Sequence, residues 1–348
     1  MKIAIASVQV PFITGGAEIL VNMLHDELKK RGHEVCLVTM PFKWYPEKSL
    51  IDCMLMGRMM DLTEVNGEKI DRVIAMKFPA FYVKHPHKCI WLMHQHRQAY
   101  DLWGTQYGDL DKMPNGENIR QMITINDTKY LMEAKNIYTI ANNTTARLKK
   151  YNNLSSTPLY HPPLGYEKMH CENFGDYFFY PSRIDQLKRQ RLMVEAARYV
   201  KTDVKFVISG GGSAAEVQHL KEQISKYNLE NKVTLTGFIS EEEKISYYAN
   251  CLGVYFGAYD EDYGYITLEG FYSEKPVIVH TDSGGPLEFV EDGRNGRVIE
   301  PDAQKLAKCF DEFYNDRKLA ESMGKAGRIS LREKNMDWDY IIEKLLED

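Results

Sequence analysis

The sequence predicts an α/β chain built as two Rossmann-like domains, and three observations carry that class. Short apolar runs of strand length alternate with longer stretches whose apolar residues recur at helical spacing. At 348 residues the chain exceeds what one core usually organises. Near its middle, Pro162-Pro163 interrupts regular structure, so a boundary is expected between 162 and 176. The expected domains are 1–165 and 166–335, followed by a terminal helix over 336–348.

The elements follow in order. KIAIASV (Lys2 to Val8) reads as a buried parallel strand. After the Gly15-Gly16 loop, AEILVNMLHDELKKRG places Ile19, Leu20, Met23, Leu24 and Leu28 at helical spacing and ends on basic residues and glycine, as a helix C-terminus should. HEVCLVTM supplies the next strand and completes a β–α–β unit. Gly16 lets backbone approach a ligand at the carboxyl end of the first strand. No G-x-G-x-x-G fingerprint is present, which argues against a dinucleotide dehydrogenase. DRVIAMKFP and CIWLMH (Cys89 to His94) are further strands. The second runs into HQHRQAYDLWG, with Arg97 and Asp101 expected on a following helix. His94 ends a parallel strand, where open α/β sheets place ligands. Glu117 to Ala134 reads as a helix, Ile137 to Asn142 as a strand and TTARLKKY as another helix.

In the second half, a strand over Tyr177 to Tyr180 precedes a loop with Arg183 and Lys188, then a helix from about Arg189. Two cations from one loop can neutralise a departing diphosphate without a metal; the plainer reading is a solvated loop. KFVISGGGS ends a strand in three glycines, Gly211 among them, expected to give backbone room beside a nucleotide. Ser240 is the expected N-cap of a helix carrying Glu241 to Glu243 in its first turn.

The richest stretch is EDYGYITLEGFYSEKPVIVHTDSGGPLE, Glu261 to Glu288. Glu261 and Glu269 lie eight positions apart across a Gly264 turn that opens a helix. The helix start, Gly264, Tyr265, Ile266 and Thr267, offers backbone N–H groups and the positive end of a dipole to a phosphate. Carboxylates complement vicinal hydroxyls of a sugar or ribose. Asp260-Glu261-Asp262 spells Asp-x-Asp, which can hold a divalent ion, yet the surrounding residues follow a different pattern and no metal is expected.

Composition bounds the rest. A hydrophobic content of 44% and a charged content of 27% describe a globular chain, not a disordered one. Residues 1–160 carry 20 Lys+Arg against 16 Asp+Glu and the remainder 24 against 33, so the net −5 divides into +4 and −9. A basic first half suits an anionic membrane surface or a phosphate-bearing acceptor, against a background of ordinary charge scatter. Six dispersed cysteines without a Cys-x-x-Cys pair read as buried free thiols in a reducing compartment. The apolar run before Pro11 is too short for a signal peptide. The expected setting is cytoplasmic, with peripheral contact at the inner face of the plasma membrane. No nucleic-acid partner is expected.

Glu261, Tyr263-Gly264, Glu269, Pro276 to Ile278 and Gly284 to Glu288 together resemble the signature of glycosyltransferase family 4. That resemblance implies a GT-B fold, with two domains facing across a cleft and a terminal helix crossing back to the first. It implies a retaining transferase using a UDP- or GDP-sugar, with no obligatory metal or other cofactor, and a saccharide or lipid-linked acceptor in cell-surface polysaccharide or glycolipid assembly. It also implies roles. Arg183 and Lys188 contact the pyrophosphate, although Gln186-Leu187 departs from the small residues more usual there. Glu269 binds ribose, Glu261 the sugar hydroxyls, His94 faces the sugar, and the backbone from Gly237 to Ile239 holds the base. A nucleotide-sugar 2-epimerase of the same fold, or a sugar-nucleotide-binding module without turnover, are the alternatives.

Overall fold

The computed structural model describes residues 1–347 and divides into two units, Met1–Leu164 with the stretch from Met336, and Gly165–Asn335.

The first unit contains β1 (Lys2–Gln9), α1 (Gly16–Lys30), β2 (Glu34–Pro41), α2 (Lys48–Met59) and a small antiparallel hairpin, β3 (Glu64–Val65) and β4 (Glu68–Lys69). It continues with β5 (Arg72–Ala75), β6 (Lys88–Leu92), α3 (Gly116–Leu131), β7 (Asn136–Thr139), α4 (Asn142–Asn152) and β8 (Thr157–Pro158). Its six-stranded sheet runs β2-β1-β5-β6-β7-β8, parallel throughout. Central β1 is apolar on both faces because helices cover both; Ile3 to Val8 are all buried. β2 is an edge strand, and there the structure corrects the expectation of buried thiols: Cys36 is exposed. α1 buries Leu20, Met23, Leu24 and Leu28 of the expected stripe, each worth about 1.5–3 kcal/mol, and Val21 beside them, while Ile19 is half-buried.

Arg97 and Asp101 do not lie on a regular helix. A single 3₁₀ turn spans Arg97–Ala99, and Arg97 Nε donates to Asp101 Oδ2 at 2.7 Å across the bend that follows. Tyr100 leaves helical geometry (φ −124°, ψ −101°), which stops propagation.

The second unit contains β9 (Tyr177–Pro181), α5 (Gln190–Ala197), β10 (Lys205–Ser209), α6 (Ala214–Lys226), β11 (Val233–Gly237), α7 (Glu241–Asn250) and β12 (Gly253–Tyr255). Then come α8 (Tyr265–Tyr272), β13 (Val277–His280), β14 (Gly296–Ile299), α9 (Ala303–Asn315) and α10 (Arg317–Ser330). The sheet order is β11-β10-β9-β12-β13-β14, again all parallel. Counted within the unit this is 3-2-1-4-5-6, the doubly wound order whose direction reverses between β9 and β12. Phe178, Phe179, Tyr180, Phe206, Tyr255 and Phe310 fill its core.

The terminal helix α11 (Trp338–Leu346) belongs to the first unit. Its Trp338 meets Trp91 of β6 edge-on at 6.3 Å, and Arg72 Nη1 donates to the Glu347 carbonyl at 2.7 Å. Among the described residues no helix is long and apolar enough to cross a membrane.

Candidate functional site

In a doubly wound sheet the crevice for a ligand lies beyond the carboxyl ends of the strands where the winding reverses. In the second unit that point falls after β9 and β12, and the charged residues of the sequence motif meet there.

After β9 the chain makes a 3₁₀ turn over Gln186–Lys188, capped by Asp185, whose Oδ1 accepts from Leu187 N at 2.9 Å. Arg189 then takes a left-handed conformation (φ 54°) as the N-cap of α5, which begins at Gln190, within a residue of the expected start. This kink turns Lys188 toward the loop after β12. Tyr259 N donates to the Leu187 carbonyl at 2.8 Å, and Tyr180 Oη donates to the Lys188 carbonyl. Lys188 Nζ forms an ion pair with Glu261 Oε2, 73 residues away, and lies 5.4 Å from the Phe256 ring centre. Arg189 forks onto Asp282, both bonds 2.7 Å, bolting the cationic loop to the loop after β13. Nothing local in the sequence marks that pair.

Glu261 itself is held through its backbone. Its N–H donates to the Ser283 carbonyl at 2.8 Å, and its carbonyl accepts from Gly285 N at 2.7 Å. A Cβ on Gly285 would stand 2.5 Å from the Asp262 carbonyl oxygen, so glycine is required for the close approach. Gly264, at φ +91°, opens α8 in a conformation that disfavours any side chain. The Thr267 N–H turns back onto the Gly264 carbonyl at 3.0 Å, which corrects its place among the amides open to a phosphate. Its hydroxyl, Thr267 Oγ1, is buried and makes no hydrogen bond within the described residues.

Glu269 lies one turn further along α8 and is buried. Its two oxygens are fixed from α7, Oε1 by Lys244 Nζ at 3.0 Å and Oε2 by Tyr248 Oη at 2.6 Å. Burial opposes the Lys244 charge, but the Glu269 and Glu241 carboxylates outweigh it and raise the lysine above its ordinary pKa. Lys244 and Tyr248 stand four residues apart, on one face of α7, and that spacing is the one signal that could have found them.

Arg183 follows β9 at the same edge, two-thirds exposed, with Nη2 3.6 Å from Asp185. The glycine run beside it has a packing cause that the expectation of nucleotide room omits. Cβ atoms on Gly210 and Gly212 would stand 2.3 Å and 2.4 Å from the Ser182 and Ile184 carbonyls. One on Gly211 would strike the Phe238 ring at 2.5 Å. Phe238 is 89% exposed, and Ile239 beside it is half-buried.

His94 and Gly16 belong to the first unit. Gly16 is exposed at the start of α1, whose capping Gly15 donates its N–H to Glu18 Oε2 at 2.8 Å. His94, half-buried, follows β6 with Nδ1 2.6 Å from the Gln95 carbonyl, so Nδ1 carries the proton. A buried polar chain anchors its neighbour: Gln95 donates to Asn152 Oδ1, and Tyr82 and Tyr100 both donate to Asp127, at 2.6 and 2.7 Å. Burial raises the Asp127 carboxyl to about 7 although both hydroxyls oppose it. His96 is a core residue, stacked on Phe78 at 5.3 Å and pushed down to about 3 by burial. Among the described residues no three His, Cys, Asp or Glu side chains are grouped to hold a metal.

A family model described as glycosyl transferases group 1 matches residues 173–330, which contain every second-unit site residue above. The alpha-1,3/1,6-mannosyltransferase ALG2 of Dictyostelium discoideum is 28% identical over 247 residues, 65% of this chain and 58% of that protein. Its human counterpart is 31% identical over 137 residues, 38% of this chain and 33% of its own length. The chain thus spans less than two thirds of these curated relatives. Among solved structures, the sucrose-phosphate synthase of Thermosynechococcus elongatus superposes with a TM-score of 0.78 at 17% identity, over 98% of this chain and 97% of that one. HepE of Anabaena, solved with UDP and glucose, gives 0.67 at 15% identity over 98% of each chain. At such identities the likeness to these structures is one of fold. Residues 173–330 match the model of the glycosyl transferases group 1 family, within a chain of the GT-B fold.

Proposed function

We propose that the chain is a retaining glycosyltransferase that moves a sugar from a UDP- or GDP-sugar to a saccharide or lipid-linked acceptor in cell-surface polysaccharide or glycolipid assembly. The observation that carries the reading is the meeting of Lys188 and Glu261 at the reversal point of the second sheet, beside the start of α8. A nucleotide sugar presents a diphosphate, a ribose and a hexose within one short span, and the site offers a matching series.

Lys188 and Arg183 neutralise the departing diphosphate, with the amides at Gly264 to Ile266 and the Thr267 hydroxyl completing its cradle. Glu269, its carboxylate oriented by Lys244 and Tyr248, receives the ribose hydroxyls. Glu261 touches the sugar hydroxyls beside the breaking bond while its pairing with Lys188 holds it in place. The backbone from Gly237 to Ile239 receives the base. In front-face transfer the leaving phosphate takes the acceptor proton, so no side chain of this site has to act as nucleophile. The chain works in the cytoplasm, with peripheral contact at the membrane through the first unit. The UDP in the HepE structure supports a nucleoside diphosphate as the ligand class.

A panel of UDP- and GDP-sugars, scored by calorimetry and then by nucleotide release with and without saccharide acceptors, tests the proposal. Release that needs an acceptor supports transfer. Binding of no nucleotide sugar, or release without any acceptor and with inversion at the sugar C2, refutes it.

A further inference from the structure

Five of the six free cysteines have ordinary surroundings. Cys53, Cys89, Cys251 and Cys309 are buried, and burial pushes the thiols of Cys89 and Cys251 up to about 12. Cys36 is exposed on an edge strand, its sulfur 3.8 Å from the Leu37 carbonyl.

Cys171 differs. It is half-buried on the segment leading into β9, and Lys275 Nζ donates to its sulfur at 3.1 Å. Lys275, in the turn between α8 and β13, is 0% exposed. Its ammonium also donates to the Asn173 carbonyl at 2.5 Å and stands 4.0 Å from the Phe174 ring centre. Among the described residues no carboxylate lies within salt-bridge distance of it. The Glu172 carboxylate acts on this ammonium only from beyond salt-bridge distance, and of its three direct partners sulfur alone can carry a negative charge. A cationic donor on sulfur in a partly exposed position is the setting of cysteines that react with peroxide, and a free thiol buried in apolar surroundings is not.

We infer that Cys171 and Lys275 form a modification site that takes hydrogen peroxide and closes into a sulfur–nitrogen cross-link. The Cys171 thiolate attacks one peroxide oxygen; the S–O bond forms as the O–O bond breaks. The departing hydroxide takes a proton from the Lys275 ammonium and leaves as water. Sulfur is oxidised by two electrons, peroxide is reduced, and Cys171 becomes a sulfenic acid. The neutral Lys275 amine then attacks that sulfur; the S–N bond forms, the S–O bond breaks, and the hydroxyl leaves as water with an amine proton. The link ties the segment entering the second unit to the turn after α8, where the Lys275 N–H already holds the Gly270 carbonyl at 2.9 Å.

The test treats the full chain with hydrogen peroxide, blocks remaining thiols with iodoacetamide and maps peptides without reductant. Cys171 should be consumed about tenfold faster than Cys36. The peptides bearing Cys171 and Lys275 should appear joined, lighter than their sum by two hydrogens, and separate on adding dithiothreitol. Lys275→Arg keeps the cation and should stop at a sulfenic acid that dimedone captures. Cys171→Ser should abolish the link, and carries the test should Lys275→Arg fail to fold. Consumption of Cys171 no faster than Cys36, or its appearance in a disulfide with Cys251, overturns the inference.

Discussion

Replacing Tyr248 by phenylalanine deletes one oxygen and leaves the ring where it is, edge-on to Phe179 at 5.1 Å and wholly buried. The lost bond is the 2.6 Å donation to Glu269 Oε2, a neutral donor on a buried carboxylate. Hydrogen bonds to charged groups contribute about 1.5–3 kcal/mol, so a cost of about 2 kcal/mol is expected. For a unit of this size that lowers Tm by about 4–8 °C in calorimetry of the second unit's transition. Glu269 would keep Lys244 but lose its second anchor, and a carboxylate free to swing binds ribose less well. Nucleotide-sugar affinity should fall by about tenfold, or 1.4 kcal/mol, in titration calorimetry. Tyr247→Phe is the control, since that half-buried ring stacks on Phe179 without a hydroxyl bond to any carboxylate. If the two variants melt alike and bind alike, Glu269 is not oriented from α7 and its assigned role fails.

Glu261→Gln should reduce turnover by at least about 100-fold while Tm moves by no more than a degree or two, because the Lys188 pair is partly solvated and such pairs contribute little to stability; a variant with near-normal turnover contradicts the sugar contact. Gly285→Ala drives a Cβ into the Asp262 carbonyl and should cost about 1–3 kcal/mol together with donor binding, read by melting and titration. Two first-unit variants should tilt the pH profile of stability in opposite directions. His96 has a folded value depressed to about 3 from 6.5, so the stability it contributes is present above 6.5 and lost as pH falls toward 3; His96→Phe should flatten melting curves over that range. Asp127 has a folded value raised to about 7 from 3.8, so its contribution is present below 3.8 and lost as pH climbs to 7; Asp127→Asn should remove that loss. Unchanged pH profiles in both variants would contradict the burial assigned to the pair.

The alternation of apolar runs and amphipathic helices was readable because parallel strands covered on both faces need uninterrupted apolar residues, as in β1, β9 and β13. The motif from Glu261 to Glu288 was readable for a different reason: its glycines, prolines and glutamates act within one turn–helix–strand unit, so their spacing survives in one dimension. What escaped was long-range or depended on turn geometry. The fork from Arg189 to Asp282 spans 93 residues and has no local mark. The clamp on Glu269 needs α7 laid beside α8, and the 3₁₀ turn that aims Lys188 depends on a left-handed arginine that no propensity favours. The exposure of Cys36 required knowing that β2 is an outer strand, which is a property of the strand order and not of the run itself.

One feature of the chain's course bears on how it comes off the ribosome. Trp338, Ile341, Ile342 and Leu345 of α11 are buried in the first unit, yet they are synthesised after every residue of the second. Residues 165–335 hold everything the later unit packs, whereas the earlier one presents a bare flank at Trp91 until α11 arrives to cover it. The part made first is therefore finished last, and truncations near the end should provoke aggregation through a domain hundreds of residues upstream.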